Sequence, residues 1–250
     1  MATSDTGGHS TFGAPPAFRT THWSVVLLTG QESSPQSDEA LEKLCRTYWP
    51  PLHAWLQRRG FSTHDAEDLT QSFLSHLLGR NRLQTLHPSK GKFRSFLLAS
   101  LKNYLANEWD KHQALKRGAQ FSFVSLNQEP GEAGGVPEPA HESTPDKAFE
   151  QSWAMTLLAT VLARLKDEYA AEGKSALFDA LHAYLSGDRS GVPYAETARQ
   201  LNLTEGALKM AVLRLRRRFG DLLRVEIAHT VSSPEEIDEE IRCLFAAVSA

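Results

Sequence analysis

Apolar residues recur every three or four positions along most of the chain, which is the spacing of α-helices. The first clear stripe contains Leu41, Leu44 and Tyr48, and it resumes after Pro50 and Pro51 until Gly60. Because proline lacks the amide hydrogen that a helix interior needs, the Pro-Pro pair predicts two helical segments at an angle. The periodicity as a whole predicts an all-α fold.

The next stripe predicts a second helix, capped by Ser62 or Thr63 and facing the core with Ala66, Leu69, Phe73 and Leu77. Its other face is polar and has no partner nearby in the sequence. The residues of interest on that face are Asp65, Asp68 and Gln71. Two interpretations stay open at this point, an ordinary solvated surface and a face that docks on another protein.

A third helix is predicted after Pro88, and it combines an aromatic stripe with a basic face. Phe96 and Tyr104 are assigned to the core, whereas Trp109 lies among the charges. Aromatic rings interleaved with cations are typical of surfaces that bind single-stranded nucleic acid. The basic and amide side chains of the helix are Arg94, Lys102, Asn103, Asn107, Lys111, His112, Lys116 and Arg117.

Residues 119–146 lose the helical period and are rich in Gly, Pro, Glu and Ser, so they are predicted to form a flexible acidic linker. Helical patterns return in residues 145–171 and 175–185. Residues 229–250 form an acidic amphipathic tail that either masks the basic surface between Arg214 and Arg224 or packs on the second domain. In the packing alternative, the residues predicted to contact the second domain are Ile241, Leu244 and Phe245.

Two short helical patterns joined by a polar turn occupy residues 193–218. Asn202 tolerates the left-handed conformation that ends a helix, and Thr204 is a favourable cap for the next one. This arrangement predicts a DNA-binding helix-turn-helix, with a solvated basic hairpin as the alternative. The second helix buries Leu208, Val212, Leu215 and Phe219 and leaves a polar face for a DNA groove, comprising Thr204, Glu205, Lys209, Met210, Arg214 and Arg217.

Composition narrows the class of protein. The chain has 250 residues, 41% hydrophobic composition and a formal net charge of −3, with basic and acidic stretches that alternate. Its length and apolar content allow one large or two small domains. The helical patterns on either side of the linker predict two small helical domains, at residues 20–118 and 147–228, after a disordered tail at 1–19. The two cysteines lie far apart without metal-ligand spacing. No secretion signal or membrane span is apparent, so a cytoplasmic location is predicted.

Three strings in this order resemble the two-domain bacterial sigma factors of the extracytoplasmic-function group of the sigma-70 family, over about residues 20–228. HDAEDLTQSFLSHLL is similar to their polymerase-binding helix. FRSFLLASLKNYLANEWDKH is similar to the segment that melts and reads the −10 element, and YAETARQLNLTEGALKMAVLRLRRRF to the module that reads the −35 element. The sequence departs from the common pattern in two places, with Asn202 where glycine is frequent and with the pair Met210-Ala211.

The resemblance implies a role for each polar face. Core RNA polymerase would be bound by Asp65, Asp68 and Gln71. The separated strand of the −10 element would lie near Lys102, Asn103, Asn107, Lys111 and His112, and the helix-turn-helix face would enter a major groove. Promoter DNA and core polymerase are thus the implied partners, with an anti-sigma factor or another regulatory protein as a further one. The chain has no catalytic constellation, metal site or cofactor motif, so it is predicted not to be an enzyme.

Other classes of function remain as alternatives. The main one is a polymerase-independent regulator that uses only the helix-turn-helix, with the N-terminal domain as a ligand sensor. A helical nucleic-acid enzyme and a structural adaptor or anti-sigma-like protein are the others.

Overall fold

The computed structural model describes residues 35–79, 92–116, 144–185 and 193–249; within them, the side chains of residues 36, 37, 40 and 111–116 are not described. The predicted tail at 1–19, the segment that follows it and nearly all of the predicted linker lie outside the described residues. Everything described is helix, turn or irregular segment, without a strand, so the all-α fold is confirmed.

Eight α-helices occur in the described ranges. The first three are α1 (Pro35–Arg58), α2 (Thr63–Leu78) and α3 (Phe93–Lys116), and the next two are α4 (Pro145–Ala171) and α5 (Ser175–Leu181). A 3-10 turn (His182–Tyr184) follows α5. The chain then forms α6 (Tyr194–Gln200), α7 (Glu205–Ala228), a second 3-10 turn (Pro234–Glu236) and α8 (Ile237–Ser249).

The predicted break at the Pro-Pro pair is wrong, because α1 runs through Pro50 and Pro51 as one helix. The prolines remove two backbone hydrogen bonds, yet the same face of the helix is buried on both sides of them. Tyr48 before the pair and Leu52 after it are both fully buried. Since tertiary packing of one face contributes most of a helix's stability in proteins, that packing outweighs the local cost.

The core is centred on α4, a 27-residue helix that packs against α1 along one part of its length and against α7 and α8 elsewhere. Its apolar residues Phe149, Trp153 and Val161 are fully buried. They belong to one cluster that also includes the buried residues of α1, α2 and α3. The helices assigned to the two predicted domains are therefore in contact in this structure.

The C-terminal segment is part of the fold. Leu244 is fully buried and Ile241 half-buried, as the packing alternative predicts, although Phe245 is 50% exposed and does not pack as predicted. The masking alternative is matched by one contact among the described residues, an ion pair of 2.7 Å between Arg224 and Asp238. The position of α8 is thus explained mainly by its packing against α4 and α7.

The turn between α6 and α7 follows the predicted local chemistry. Asn202 has a φ of 53°, in the left-handed region. The Thr204 hydroxyl accepts a hydrogen bond of 3.1 Å from the Ala207 amide. Both predicted signals are confirmed, and together they fix where α7 begins.

Replacing Thr204 by alanine should lower the free energy of unfolding by about 1 kcal/mol, because the first turn of α7 loses the acceptor for one of its free amides. Urea unfolding followed by circular dichroism measures this change. Thr160→Ala is the matched control. Within the described residues, the exposed Thr160 hydroxyl bonds only to the carbonyl of Thr156 in α4, so stability should stay equal or rise slightly. Equal losses in both variants would contradict the capping role.

Candidate nucleic-acid interface

The polar face of α2 is open to solvent. Asp65, Asp68 and Gln71 are all exposed, on the side opposite the buried residues Ala66, Phe73 and Leu77. Asp65 also has a local role, because its carboxylate accepts a hydrogen bond of 2.6 Å from the hydroxyl of the capping residue Ser62. Among the described residues, Gln71 has no hydrogen-bond partner for its side chain, and Asp68 has only an exposed ion pair with His64, at 3.7 Å.

The face of α3 that was predicted to contact the −10 element is exposed in part. Lys102, Asn103 and Asn107 are exposed. Lys111 and His112 continue the helix, but their side chains lie outside the described residues. The predicted core assignment of Phe96 and Tyr104 is confirmed, since both are partly buried against the core, and the ring of Tyr104 lies 5.7 Å from that of Phe73.

Lys102 is held by a carboxylate from α4. Its Nζ atom lies 2.8 Å from Oδ2 of Asp146, while the indole Nε1 of Trp55 donates to Oδ1 of the same carboxylate at 2.8 Å. Burial tends to raise the pKa of the Asp146 carboxyl, but these hydrogen bonds and the charges of Lys102 and Arg59 outweigh it and leave that pKa below its usual value. The first turn of α4 is thereby tied to both α1 and α3.

Arg94 does not belong to the exposed basic face of α3 to which the sequence assigned it. Its side chain is 7% exposed and its guanidinium lies over the ring of Trp153, 4.5 Å from the centroid. The guanidinium also donates to Glu150 and, at 2.6 and 3.1 Å, to the carboxylate of Glu240. A buried cation at the start of α3 is thus neutralised by acids from α4 and α8, which periodicity within α3 could not reveal.

The carboxylate of Glu240 is fully buried and binds a second cation, Nζ of Lys92, at 2.9 Å. Burial raises the pKa of this carboxyl, yet the hydrogen bonds and charges of Arg94 and Lys92 outweigh burial and hold the pKa below its usual range. Lys92 also contacts the Cys243 thiol, with 3.4 Å between Nζ and Sγ. Glu240 therefore joins α8 to the segment that begins α3.

The polar face of α7 is arranged as predicted. All six residues assigned to it are exposed, including Met210 at 50%. Leu213, which is 57% exposed, lies one helical turn from Lys209, Met210 and Arg217, and the sequence analysis did not single it out. Because its neighbours Val212 and Leu215 are buried, Leu213 falls on the opposite side of the helix, and that offset from the core stripe was the signal available for finding it.

The arginines that end this basic run differ in what they contact. Arg216 donates two hydrogen bonds to the carbonyl of Tyr184, at 3.0 and 2.7 Å. Arg218 forms a two-point contact with the carboxylate of Glu168, both at 2.7 Å, and this contact lowers the pKa of that carboxyl. Arg217, between them, forms no ion pair with any residue that the structure describes. Arg216 also lacks an acidic partner among the described residues, but its guanidinium is held by the Tyr184 carbonyl. Of the three, Arg217 is the one whose guanidinium has neither a hydrogen bond nor an ion pair in the described part of the chain, so it is the most available to an outside partner.

Other kinds of site are not found in the described part of the chain. No group of three or more His, Cys, Asp or Glu residues is placed to hold a metal ion in residues 35–79, 92–116, 144–185 and 193–249. Over the same residues, no helix combines the length and the apolar character that crossing a bilayer requires.

Residues 44–115 match the family model of sigma-70 region 2. The match begins within α1, includes α2 and ends near the end of α3, so it contains the first two strings on which the resemblance was based and leaves out the third. Among curated proteins and solved structures, none matches the chain significantly.

The match supports a sigma factor of the sigma-70 family, a class of non-enzymatic protein involved in promoter recognition by RNA polymerase. A region 2 segment also indicates binding to core RNA polymerase. The assignment to a group within the family, and the role of each residue, go beyond this match.

Proposed function

We propose that the chain is a sigma factor of the extracytoplasmic-function type, which binds core RNA polymerase in the cytoplasm and directs it to promoters. The observation that carries the proposal is the region 2 match over an exposed acid-and-amide face on α2 and an exposed lysine-and-asparagine face on α3. In this proposal Asp65, Asp68 and Gln71 dock on polymerase. Lys102, Asn103 and Asn107 face the −10 element, together with Lys111 and His112.

The exposed face of α7 is proposed to read the −35 element in a major groove. A DNA groove admits a single α-helix, and the face offers side chains suited both to base edges and to phosphates. Among its residues, Glu205, Lys209, Met210 and Arg214 are proposed to select sequence, whereas Arg217 contacts phosphate. Two local features support this role, the left-handed conformation of Asn202 and the cap at Thr204. Together they begin α7 directly after the short turn that follows α6.

Reading both elements at once would require the two predicted domains to move apart. Elements named for positions −10 and −35 lie about 25 base pairs apart, or roughly 85 Å of straight duplex. In this structure the amide of Phe93, at the start of α3, bonds to the carbonyl of Thr230, just after α7. Lys102 lies along α3 from this contact, and Glu205 lies along α7 from it. At a rise of about 1.5 Å per residue, these two helices could separate Lys102 from Glu205 by at most roughly 60 Å, even if they lay end to end. We propose that the structure is a closed form of the free protein.

The direct test is reconstitution of transcription. Purified chain is added to core RNA polymerase on genomic DNA fragments from the source organism, and run-off transcripts are sequenced. We expect discrete start sites that core polymerase alone does not produce. If polymerase gains no selectivity, the proposal is wrong; a footprint on a palindromic operator without polymerase would instead support the helix-turn-helix regulator.

Replacing Arg217 by alanine should weaken binding to a duplex that contains the −35 element. The loss should be similar for different sequences and should reduce the slope of log affinity against log salt by about one, because one phosphate contact is removed. Fluorescence anisotropy with the full chain, between about 50 and about 200 mM salt, measures both quantities.

Arg218→Ala is the neighbouring control. Its guanidinium is engaged by Glu168, so its replacement should lower the free energy of unfolding by about 0.2–1 kcal/mol and leave the salt slope closer to that of the unmodified chain. If both variants lose DNA affinity equally, the distinction between the two arginines does not hold.

A further inference from the structure

Two donors from different helices converge on one carboxylate at the surface of the region 2 segment. Nε1 of Trp55, from α1, and Nζ of Lys102, from α3, each lie 2.8 Å from a different oxygen of Asp146. The guanidinium of Arg59 lies over the ring of Trp55, with its central carbon 5.3 Å from the centroid, and contributes a further positive charge. These three side chains, called here the anion seat, form a place for a negatively charged group.

The carboxylate that fills the anion seat comes from a different part of the chain. Asp146 lies 91 residues from Trp55 and 44 from Lys102, in the first turn of α4. A carboxylate and a DNA phosphate both accept hydrogen bonds from cationic and N–H donors, so either group suits these donors. Lys102 also lies on the face of α3 that the proposed function assigns to the separated strand.

We propose that the anion seat binds a backbone phosphate of single-stranded promoter DNA, and that Asp146 occupies it in the closed form. The inference rests on the proposed function and adds to it two residues, Trp55 and Arg59, and a means of control. When α4 moves away from α1 and α3, its first turn removes Asp146 from the seat. The seat then becomes available in the form that also reads the −35 element.

Burial and charge support this assignment. Trp55 is 3% exposed in this structure, where Asp146 is the acceptor for its indole N–H. When Asp146 leaves, this N–H and the two neighbouring positive charges become available to another anionic acceptor. Lys102, by contrast, keeps 45% of its side chain exposed and can be reached by DNA from solvent. Nucleic acid would therefore compete directly with the carboxylate, and the closed form should bind single strands weakly.

The test measures affinity of the full chain for a fluorescein-labelled 12-nucleotide oligo-dT at low salt. Asp146→Ala should increase this affinity by about fivefold or more, because it removes both the competing acceptor and its charge. Asp146→Asn keeps an acceptor without the charge and should give a smaller gain. The matched control is Asp167→Ala, which removes the same charge from an exposed position elsewhere on α4 and should change affinity less than twofold.

A second pair of variants locates the gain. Lys102→Ala in the Asp146→Ala background should abolish the gain, whereas Lys166→Ala, at an exposed position of α4, should leave most of it. Equal affinities for Asp146→Ala and Asp167→Ala would overturn the proposal, and so would a gain that survives Lys102→Ala. Circular dichroism of each variant verifies that the helices remain formed.

The outcome is separable from that of the proposed function. If oligo-dT binding follows these expectations but the chain gives polymerase no promoter selectivity, the anion seat stands and the sigma role fails. If transcription is reconstituted and the Asp146 variants bind oligo-dT like the unmodified chain, the sigma role stands and the anion seat is wrong.

Discussion

Replacing Trp153 by alanine should destabilise the protein by about 3–5 kcal/mol, one of the largest losses that a single truncation can cause. The indole is fully buried at the contact between α4 and α1, so its removal leaves a cavity. It also removes the ring beneath the guanidinium of Arg94, a buried cation. Because domains are stable by about 5–15 kcal/mol in total, this loss is a large part of the free energy of unfolding.

Urea unfolding followed by circular dichroism measures the effect, and Met155→Ala is the matched control. Met155 lies two residues further along α4 and is 54% exposed, so its truncation should cost no more than about 0.5 kcal/mol. A loss of less than about 1 kcal/mol for Trp153→Ala would mean that the α1–α4 contact adds little to the free protein. That result would favour an open form in solution.

The double substitution Asp68→Lys with Gln71→Lys should weaken binding to core RNA polymerase by about a hundredfold or more, which corresponds to about 2.7 kcal/mol. Both side chains are exposed on the α2 face proposed to dock on polymerase, and lysines there would place like charge against a surface selected for acids. Asp65 is left unchanged, because its contact with Ser62 stabilises the start of α2. Its replacement would change the stability of the protein as well as its affinity for polymerase.

The control must reproduce the change in charge at another place. Glu39→Lys with Gln151→Lys raises the net charge by the same three units at exposed positions on α1 and α4. Affinity for polymerase, measured by anisotropy of labelled chain, should then change less than threefold, and the thermal unfolding midpoints of both double variants should stay near that of the unmodified chain. If the α2 variant binds polymerase normally, the proposed docking face is wrong and another part of region 2 makes the contact.

Local features of the fold were predictable where short-range physics decides them. The start of α7 is one case, since Thr204 and Asn202 act within a few residues of themselves. The buried stripe of α4 is another, because Phe149, Trp153 and Val161 recur at helical spacing and all three are buried. The predicted interruption at Pro50 and Pro51 failed, since the cost of two prolines is local while the packing that offsets it is not.

The candidate site was predictable only in part, for a related reason. Periodicity separated the exposed faces of α2, α3 and α7 from the core, and the residues selected there with described side chains are exposed except Arg94, which is buried. It could not tell an exposed cation from one that another segment neutralises. The sequence around Arg94 and Arg218 does not distinguish them from exposed cations such as Arg217. They differ because Arg94 contacts Glu240 and Arg218 contacts Glu168.

The all-α class and the buried and exposed faces of the helices follow from the amino-acid sequence, because each depends on residues within a few turns of one another. Which charges remain available depends instead on how the helices pack together. Glu240 reaches Arg94 across 146 residues, and Asp146 reaches Trp55 across 91. Such pairs form only when separate helices meet, so no local pattern encodes them, and they hold the chain in the form described here.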